Sequence, residues 1–307
     1  MDRKFFLKSV GASLLSYTLL PTSPATLFAK SQEQNMFFDI SLAQWSLHRA
    51  FFDGKMDPIN FPRIAREQFG INTVEYVNAF YEGKARDKKY LRKLKYIAES
   101  EGVFNHLIMV DGEGDLGNID SKKRQQAVEN HYKWVEAAHY LGCRTIRVNA
   151  RGQSEYSYEE QKKAAAEGLR NLCEFSESYG INIVVENHGG VSSNGKWVLD
   201  VMKTVSHPLC GTLPDFGNFD ISENESYDAY KGTEEMMPYA KGVSAKSYDF
   251  DENGNETTID FERMLKIAKD NGFRGYIGVE YEGDRLSEPE GIKATKDLLL
   301  KIGQQMS

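Results

Sequence analysis

Apolar, β-rich runs alternate along this chain with segments whose apolar residues recur at the helical period of about 3.6 residues. The runs predict strands over Phe38–Leu47, Thr73–Ala79, Phe104–Asp111, Thr145–Ala150, Asn182–His188, Gly211–Phe216, Gly242–Tyr248 and Tyr276–Tyr281. Between and after them, the helical period predicts helices near Phe61–Phe69, Lys88–Gly102, Ser121–Leu141, Glu159–Tyr179, Lys196–Ser206, Tyr227–Tyr239, Phe261–Asn271 and Pro289–Gln304. Gly70, Gly102, Gly142, Gly180 and Gly272 each follow a helical segment just ahead of a strand, where a left-handed cap turns the chain back toward the sheet. Eight consecutive units of roughly 35 residues predict an α/β fold, a single (β/α)8 TIM barrel. Its active site would then lie at the C-terminal ends of the strands. The competing doubly wound open sheet would place a Gly-x-Gly-x-x-Gly turn after the first strand, and none is present.

The pattern breaks before the first strand. Arg3, Lys4 and Lys8 precede an apolar run, Val10–Leu20, and small residues at Ala25 and Ala29 offer cleavage points. Residues 1–29 therefore read as an export signal, leaving 30–307 for the barrel, and the run is too short to span a bilayer, which needs ~20 residues. Asp2-Arg3-Lys4-Phe5-Phe6-Leu7-Lys8 resembles the twin-arginine export motif with Lys4 in place of the second Arg, and the general secretory route also accepts such a segment. Either route implies export to the periplasm.

Composition narrows the function. Loss of the leader's three basic residues and one acidic residue takes the net charge from −7 to −9. Binding through nucleic-acid phosphates needs the opposite sign. The three cysteines, Cys143, Cys173 and Cys210, form no CxxC pattern and read as small buried hydrophobes. With 3 Trp, 16 Tyr and 17 Phe against 8 Pro, low complexity is excluded.

Candidate chemistry sits where the later strands end. Strand five ends in Glu186-Asn187-His188, and two-residue alternation puts Glu186 and His188 on the same side. Strand six runs into Asp215, strand seven carries Ser244-Ala245-Lys246, and strand eight ends in Glu280-Tyr281-Glu282. A carboxylate behind an apolar run is costly unless paired or metal-bound. Converging acids repel one another, and a divalent cation with hard oxygen ligands resolves this, as Mn²⁺ or Mg²⁺, with Zn²⁺ or Co²⁺ also admissible. Each acid taken singly is equally well an exposed loop residue or a helix cap.

Glu186-Asn187-His188-Gly189-Gly190, Asp215-Phe216-Gly217-Asn218 and Val279-Glu280-Tyr281-Glu282-Gly283, in this order, resemble the xylose isomerase-like barrels. That group, the sugar phosphate isomerase/epimerase superfamily, includes sugar isomerases, ketose 3-epimerases and inosose dehydratases. The resemblance implies a metal held by Glu, Asp, His and Glu on strands five to eight, which fall on Glu186, Asp215, the position of Ser244, and Glu280. The strand-seven His is absent here. Water could complete the shell, His188 could replace the missing ligand, or the Lys246 ammonium could sit among the carboxylates and make a metal dispensable.

The resemblance further implies that Glu186 and Glu280 flank a carbon that loses or gains a proton, through an enediolate, with Lys246 and His188 as electrophiles. Substrate contacts are expected from Trp45, His48, Glu75, His106, Asn149, Arg151, Tyr248 and Glu282, with Gln44, Asp111 and Arg147 at neighbouring strand ends. Phosphorylated sugars are chiefly cytoplasmic, so an exported enzyme is expected to isomerise or epimerise a free or keto sugar. A lyase or hydratase acting on 3-keto-glycosides or their elimination products is the alternative enzyme, and a non-catalytic carbohydrate-binding barrel with a degenerate metal site is the alternative class. A repair endonuclease on this barrel would need several metal-binding His and a basic groove. A carbohydrate is the expected partner, without nucleic acid or stable membrane insertion, and the resemblance implies dimers or tetramers.

Overall fold

The computed structural model describes residues 36–307 apart from Ser154, and the leader expected over 1–29 lies outside the described residues. The eight expected strands form as β1 (Asp39–Ala43), β2 (Thr73–Val77), β3 (Phe104–Met109), β4 (Thr145–Val148), β5 (Asn182–Glu186), β6 (Cys210–Leu213), β7 (Val243–Ser247) and β8 (Tyr276–Tyr281). All pair in parallel, in the order β6-β5-β4-β3-β2-β1-β8-β7. Between β6 and β7, single parallel bridges Asp215–Ser244 and Thr212–Ala240 close the ring. The seam of the barrel thus passes through two positions at which the sequence places metal-site residues.

Helices fill the intervals: α1 (Phe61–Phe69), α2 (Lys88–Ser100), α3 (Ser121–Leu141), α4 (Tyr158–Ser176), α5 (Gly195–Val205), α6 (Ala229–Met236), α7 (Phe261–Asp270) and α8 (Glu288–Gln305). Side-chain caps start most of them; Ser157 with Glu160, and Ser287 with Glu290, make reciprocal capping boxes. The five glycines expected to cap helices all have positive φ, from 63° to 84°. One hydrophobic layer lies between helices and sheet, and a smaller one, Ala43, Val77, Leu107, Met109, Val184 and Leu213, fills the barrel itself.

Two segments differ from expectation. The first strand stops at Ala43, because Gln44–Leu47 turns into a 3₁₀ helix. Gln44 is anchored there by donating to the Tyr81 hydroxyl and accepting from the Val77 amide, each at 3.0 Å. The loop after β6 carries a short antiparallel pair, Asp220–Ser222 with Glu225–Ser226, too brief to register as periodicity. The three cysteines are free and buried. Among the described residues no helix is long and apolar enough to cross a membrane.

Candidate active site

Three carboxylates converge at the C-terminal mouth. Glu186 at the end of β5, Asp215 just beyond β6 and Glu280 in β8 each offer an oxygen lying within 4.8 Å of the others, and all three are buried. Asp215 is held by its surroundings. Its Oδ1 accepts from the amides of Gly217 (2.8 Å) and Asn218 (2.9 Å), which turns Oδ2 toward the other acids. The neighbouring Asn187 accepts from the Asp215 amide at 2.7 Å and donates to the Asp215 carbonyl at 2.9 Å, tying β5 to the seam. Asn187 was legible only as part of a motif; its role appears once the two strand ends are side by side.

Two cations answer the acids. Lys246, buried on β7, places Nζ 3.0 Å from Glu280 Oε1, 3.0 Å from Glu282 Oε1 and 3.7 Å from Asp215 Oδ2. The ammonium therefore does sit among the carboxylates. Arg147 on β4 lies 2.7 Å from Glu186 Oε2 through Nε, close but not aligned for a hydrogen bond, and donates to Asp111 Oδ1 at 2.7 Å through its terminal nitrogen. At the strand-seven position, the Ser244 hydroxyl donates to Glu280 Oε2 at 3.2 Å.

These neighbours split the acids electrostatically. Burial pushes Glu186 well above the usual carboxylate range, with Asp215 and Glu280 adding to the rise and Arg147 opposing it. Burial likewise lifts Asp215 to about 6, against the pull of Lys246. Burial acts on Glu280 too, but Lys246 overcomes it and holds that carboxyl below its ordinary value. Lys246 itself is kept charged, because the attraction of Asp215, Glu280 and Glu282 outweighs its desolvation. Asp111 falls to about 2 because Arg147 and Asn149 outweigh its burial.

The donor set fits a divalent cation. Glu186 Oε2 and Asp215 Oδ2 are buried oxygens without a hydrogen-bond partner among the described residues, and Glu280 stands within reach of both. Hard oxygen donors of this kind suit Mg²⁺ or Mn²⁺. His188 is not part of the cluster. It lies two residues beyond the end of β5 at the cavity wall, kept neutral with a value near 4 by burial and by Arg147, and its Nδ1 lacks a partner among the described residues.

A cavity of about 550 Å³ opens above the acids, lined by Trp45, His48, Arg147, Arg151, His188, Lys246, Glu280 and Glu282 among others. Of the expected substrate contacts, Trp45, His48, Arg151 and Glu282 line it, whereas Asn149 and Tyr248 stand behind residues that do. Asn149 donates to Asp111 Oδ1 at 2.6 Å on the same side. The Tyr248 hydroxyl packs where only the missing side chain of Gly217 leaves room: a Cβ there would lie 2.8 Å away. The ring of His48 stacks on Trp45 and its Nδ1 donates to the Trp45 carbonyl at 2.8 Å.

Two expected contacts do not join the others. The carboxyl of Glu75 lies beneath the mouth, beside Gly278, where a Cβ would be 2.9 Å from both of its oxygens. The Ser41 hydroxyl donates to its Oε1, and burial raises it to about 8, so it is neutral at pH 7. His106 lies lower still, its ring 4.5 Å from that of Tyr276 at the start of β8, with neither nitrogen partnered. Neither of these two expected contacts lines the cavity. Strand alternation gives the inward face, and these side chains occupy that face at the wrong height.

Comparison with known proteins agrees with this architecture. Residues 63–302 match the xylose isomerase-like TIM barrel family, and the chain belongs to it. An inosose dehydratase of Clostridium botulinum is 21% identical over 245 residues, 68% of this chain and 80% of that one. The alpha subunit of a C-glycoside deglycosidase of Arthrobacter globiformis is 41% identical over 54 residues, which span 18% of this chain and only 15% of that relative's length. The crystal structure of 3-keto-D-glucoside 4-epimerase from E. coli superposes with a TM-score of 0.64 at 14% identity, covering 87% of this chain and 99% of that one.

Proposed function

We propose that this protein is a divalent-metal-dependent sugar isomerase or epimerase that acts on a free or keto sugar through an enediolate. The observation that carries this reading is the trio Glu186, Asp215 and Glu280, buried and mutually within reach, with Glu280 lining a cavity of about 550 Å³. Proton abstraction beside a carbonyl needs a base, an acid and positive charge for the developing oxyanion. Glu280, held ionised by Lys246, is the base, and Glu186, on the facing strand end, returns the proton. Lys246 and the neutral His188 are positioned to hydrogen-bond the oxyanion. Glu186, Asp215 and Glu280 would hold the cation, which supplies Lewis-acid polarisation of the substrate oxygens when bound. Trp45, His48, Asn149, Arg151, Tyr248 and Glu282 contact the substrate. The basic, apolar leader over 1–29 supports export to the periplasm, and hence an unphosphorylated substrate.

A second reading, lyase or hydratase action on 3-keto-glycosides, shares the same first proton transfer. It is favoured by the dehydratase and deglycosidase relatives and by the likeness to the keto-glucoside epimerase. The test is incubation of the purified protein with Mn²⁺ and a panel of keto sugars, 3-keto-glucosides included, in D₂O. Deuterium entering beside the carbonyl is the expected result, and the products then separate epimer, isomer and eliminated sugar. Absence of exchange across the panel would overturn both readings.

A further inference from the structure

The walls of the cavity are chemically unlike one another. Across from β5 and β6 in the eight-stranded ring stand β1 and β2, and their side carries Trp45, Phe52, Val77 and Ala79, joined by Met109 of β3. The rest of the ring carries Arg147, Arg151, His188, Lys246, Glu280 and Glu282, the two glutamates on and just after β8 beside β1, while His48 and Asp111 are the polar residues of the aromatic side. Phe52 ends the short helix His48–Phe52, and its ring stands 6.0 Å from that of Trp45. Phe80 backs both, with its centroid 5.0 Å from Phe52 and 6.2 Å from Trp45, and is itself braced by Phe51 at 5.0 Å. Among the described residues the exposed large hydrophobics are Phe52, Tyr96 and Tyr156, and of these only Phe52, 62% exposed, lines this cavity.

We infer that the cavity accepts a glycoside with an apolar, flat aglycone, and that Trp45 and Phe52 form the platform for an aryl group. The inference rests on the sugar-enolising reading for the charged end of the cavity and adds the substrate class. On the aromatic side the polar groups are the His48 Nε2, left free because Nδ1 is spent on the Trp45 carbonyl, and the Asp111 carboxylate, so a sugar ring laid against Trp45, Phe52, Val77 and Ala79 would leave most of its hydroxyl edge without partners. An aryl group carries no such cost and covers rings that otherwise face water. The volume of about 550 Å³ lies in the range of pockets that enclose small organic ligands.

The test is calorimetric titration of the full chain with matched phenyl and methyl β-D-glucopyranosides and β-D-galactopyranosides, repeated on Phe52→Ala. Phe52 is exposed, so the variant retains its fold, which circular dichroism checks. The phenyl member of at least one pair should bind about tenfold tighter than its methyl partner, and Phe52→Ala should bring that ratio close to one. Equal affinities within every pair, no binding of any of them, or a ratio untouched by Phe52→Ala would overturn the inference. A changed mass in light scattering with the ratio unaltered would likewise overturn it, by assigning the Phe52 ring to contact with a second copy of the chain. Deuterium exchange separates the two proposals: exchange without aryl preference removes the platform alone, whereas aryl preference without exchange removes the enolising reading alone.

Discussion

Glu280 and Glu75 are both buried and both project into the same barrel, one at the mouth and the other a layer beneath, yet they carry opposite charge states. Along the inward face of β8, Glu280 marks the upper level, Gly278 the level of the Glu75 carboxyl, and Tyr276 the level of His106. Successive levels are two residues apart, ~6.8 Å. At the upper level, Lys246 and Arg147 keep company with the acids and Glu280 stays ionised. At the middle level, Glu75 has a single serine hydroxyl and is neutral, and at the lowest His106 is held neutral near 4 by burial and by Arg144. Burial by itself therefore silences a titratable group in this barrel. Charge persists only where a buried counter-charge accompanies it, and that condition is met only at the end that opens to a cavity.

The comparison breaks first if the two glutamates prove equivalent. Glu280→Gln should lower proton exchange by about 100- to 10,000-fold, the usual contribution of a placed acid or base, with the fold retained by circular dichroism. Glu75→Gln should cost less than tenfold in the same assay. Equal losses at both positions would mean that height in the barrel does not decide function.

Removing the counter-charge is the next largest perturbation. Lys246→Met leaves Asp215 and Glu280 buried without their ammonium, and breaking a buried pair from one side costs about 3–5 kcal/mol. Chemical denaturation should register that loss, and millimolar Mn²⁺ should restore part of it by supplying positive charge to the same oxygens. A stability unchanged by the substitution would show that the acids are not ionised in the folded protein.

Glu75 makes a pH-dependent contribution. Its folded value, about 8, lies above its ordinary 4.5, so the fold favours its neutral form. The stabilisation is full below pH 4.5 and is lost as the pH rises toward about 8, at up to about 1.4 kcal/mol per pH unit. Glu75→Gln, which cannot ionise, should flatten the fall of stability between pH 5 and 8 relative to the unsubstituted protein. Parallel curves would place the Glu75 carboxyl in contact with water or with an unseen positive charge.

The same levels explain what the sequence made legible. Eight strands and their helices followed from alternation, period and terminal glycines, because each of those signals is local. Glu186, Asp215 and Glu280 could be picked out because a charge closing an apolar run is anomalous wherever that run packs. Glu75 and His106 share the inward face with the mouth residues, and alternation reports which face of the sheet a residue occupies, not how high it stands in a closed ring. Height depends on the register between strands, and here also on a bulge in the β2–β3 pairing beside His106. The pairing of Arg147 with Glu186 and the grip of Asn187 on Asp215 are contacts between elements 28 or more residues apart, which no local pattern encodes. The Lys246 ammonium stood among the open alternatives, and register alone put it beside Glu280, its pairing partner across β7 and β8.

The central claim, that the charged level of the barrel is organised to hold a cation, is tested most directly by calorimetric titration of the purified protein with Mn²⁺. One ion per chain should bind, and more tightly as the pH rises from about 5 to 7, because Asp215, lifted to about 6, must give up its proton to bind, as must Glu186, which burial also lifts. Asp215→Asn should abolish the binding. No detectable binding at millimolar Mn²⁺, or binding that survives Asp215→Asn unchanged, would contradict the account.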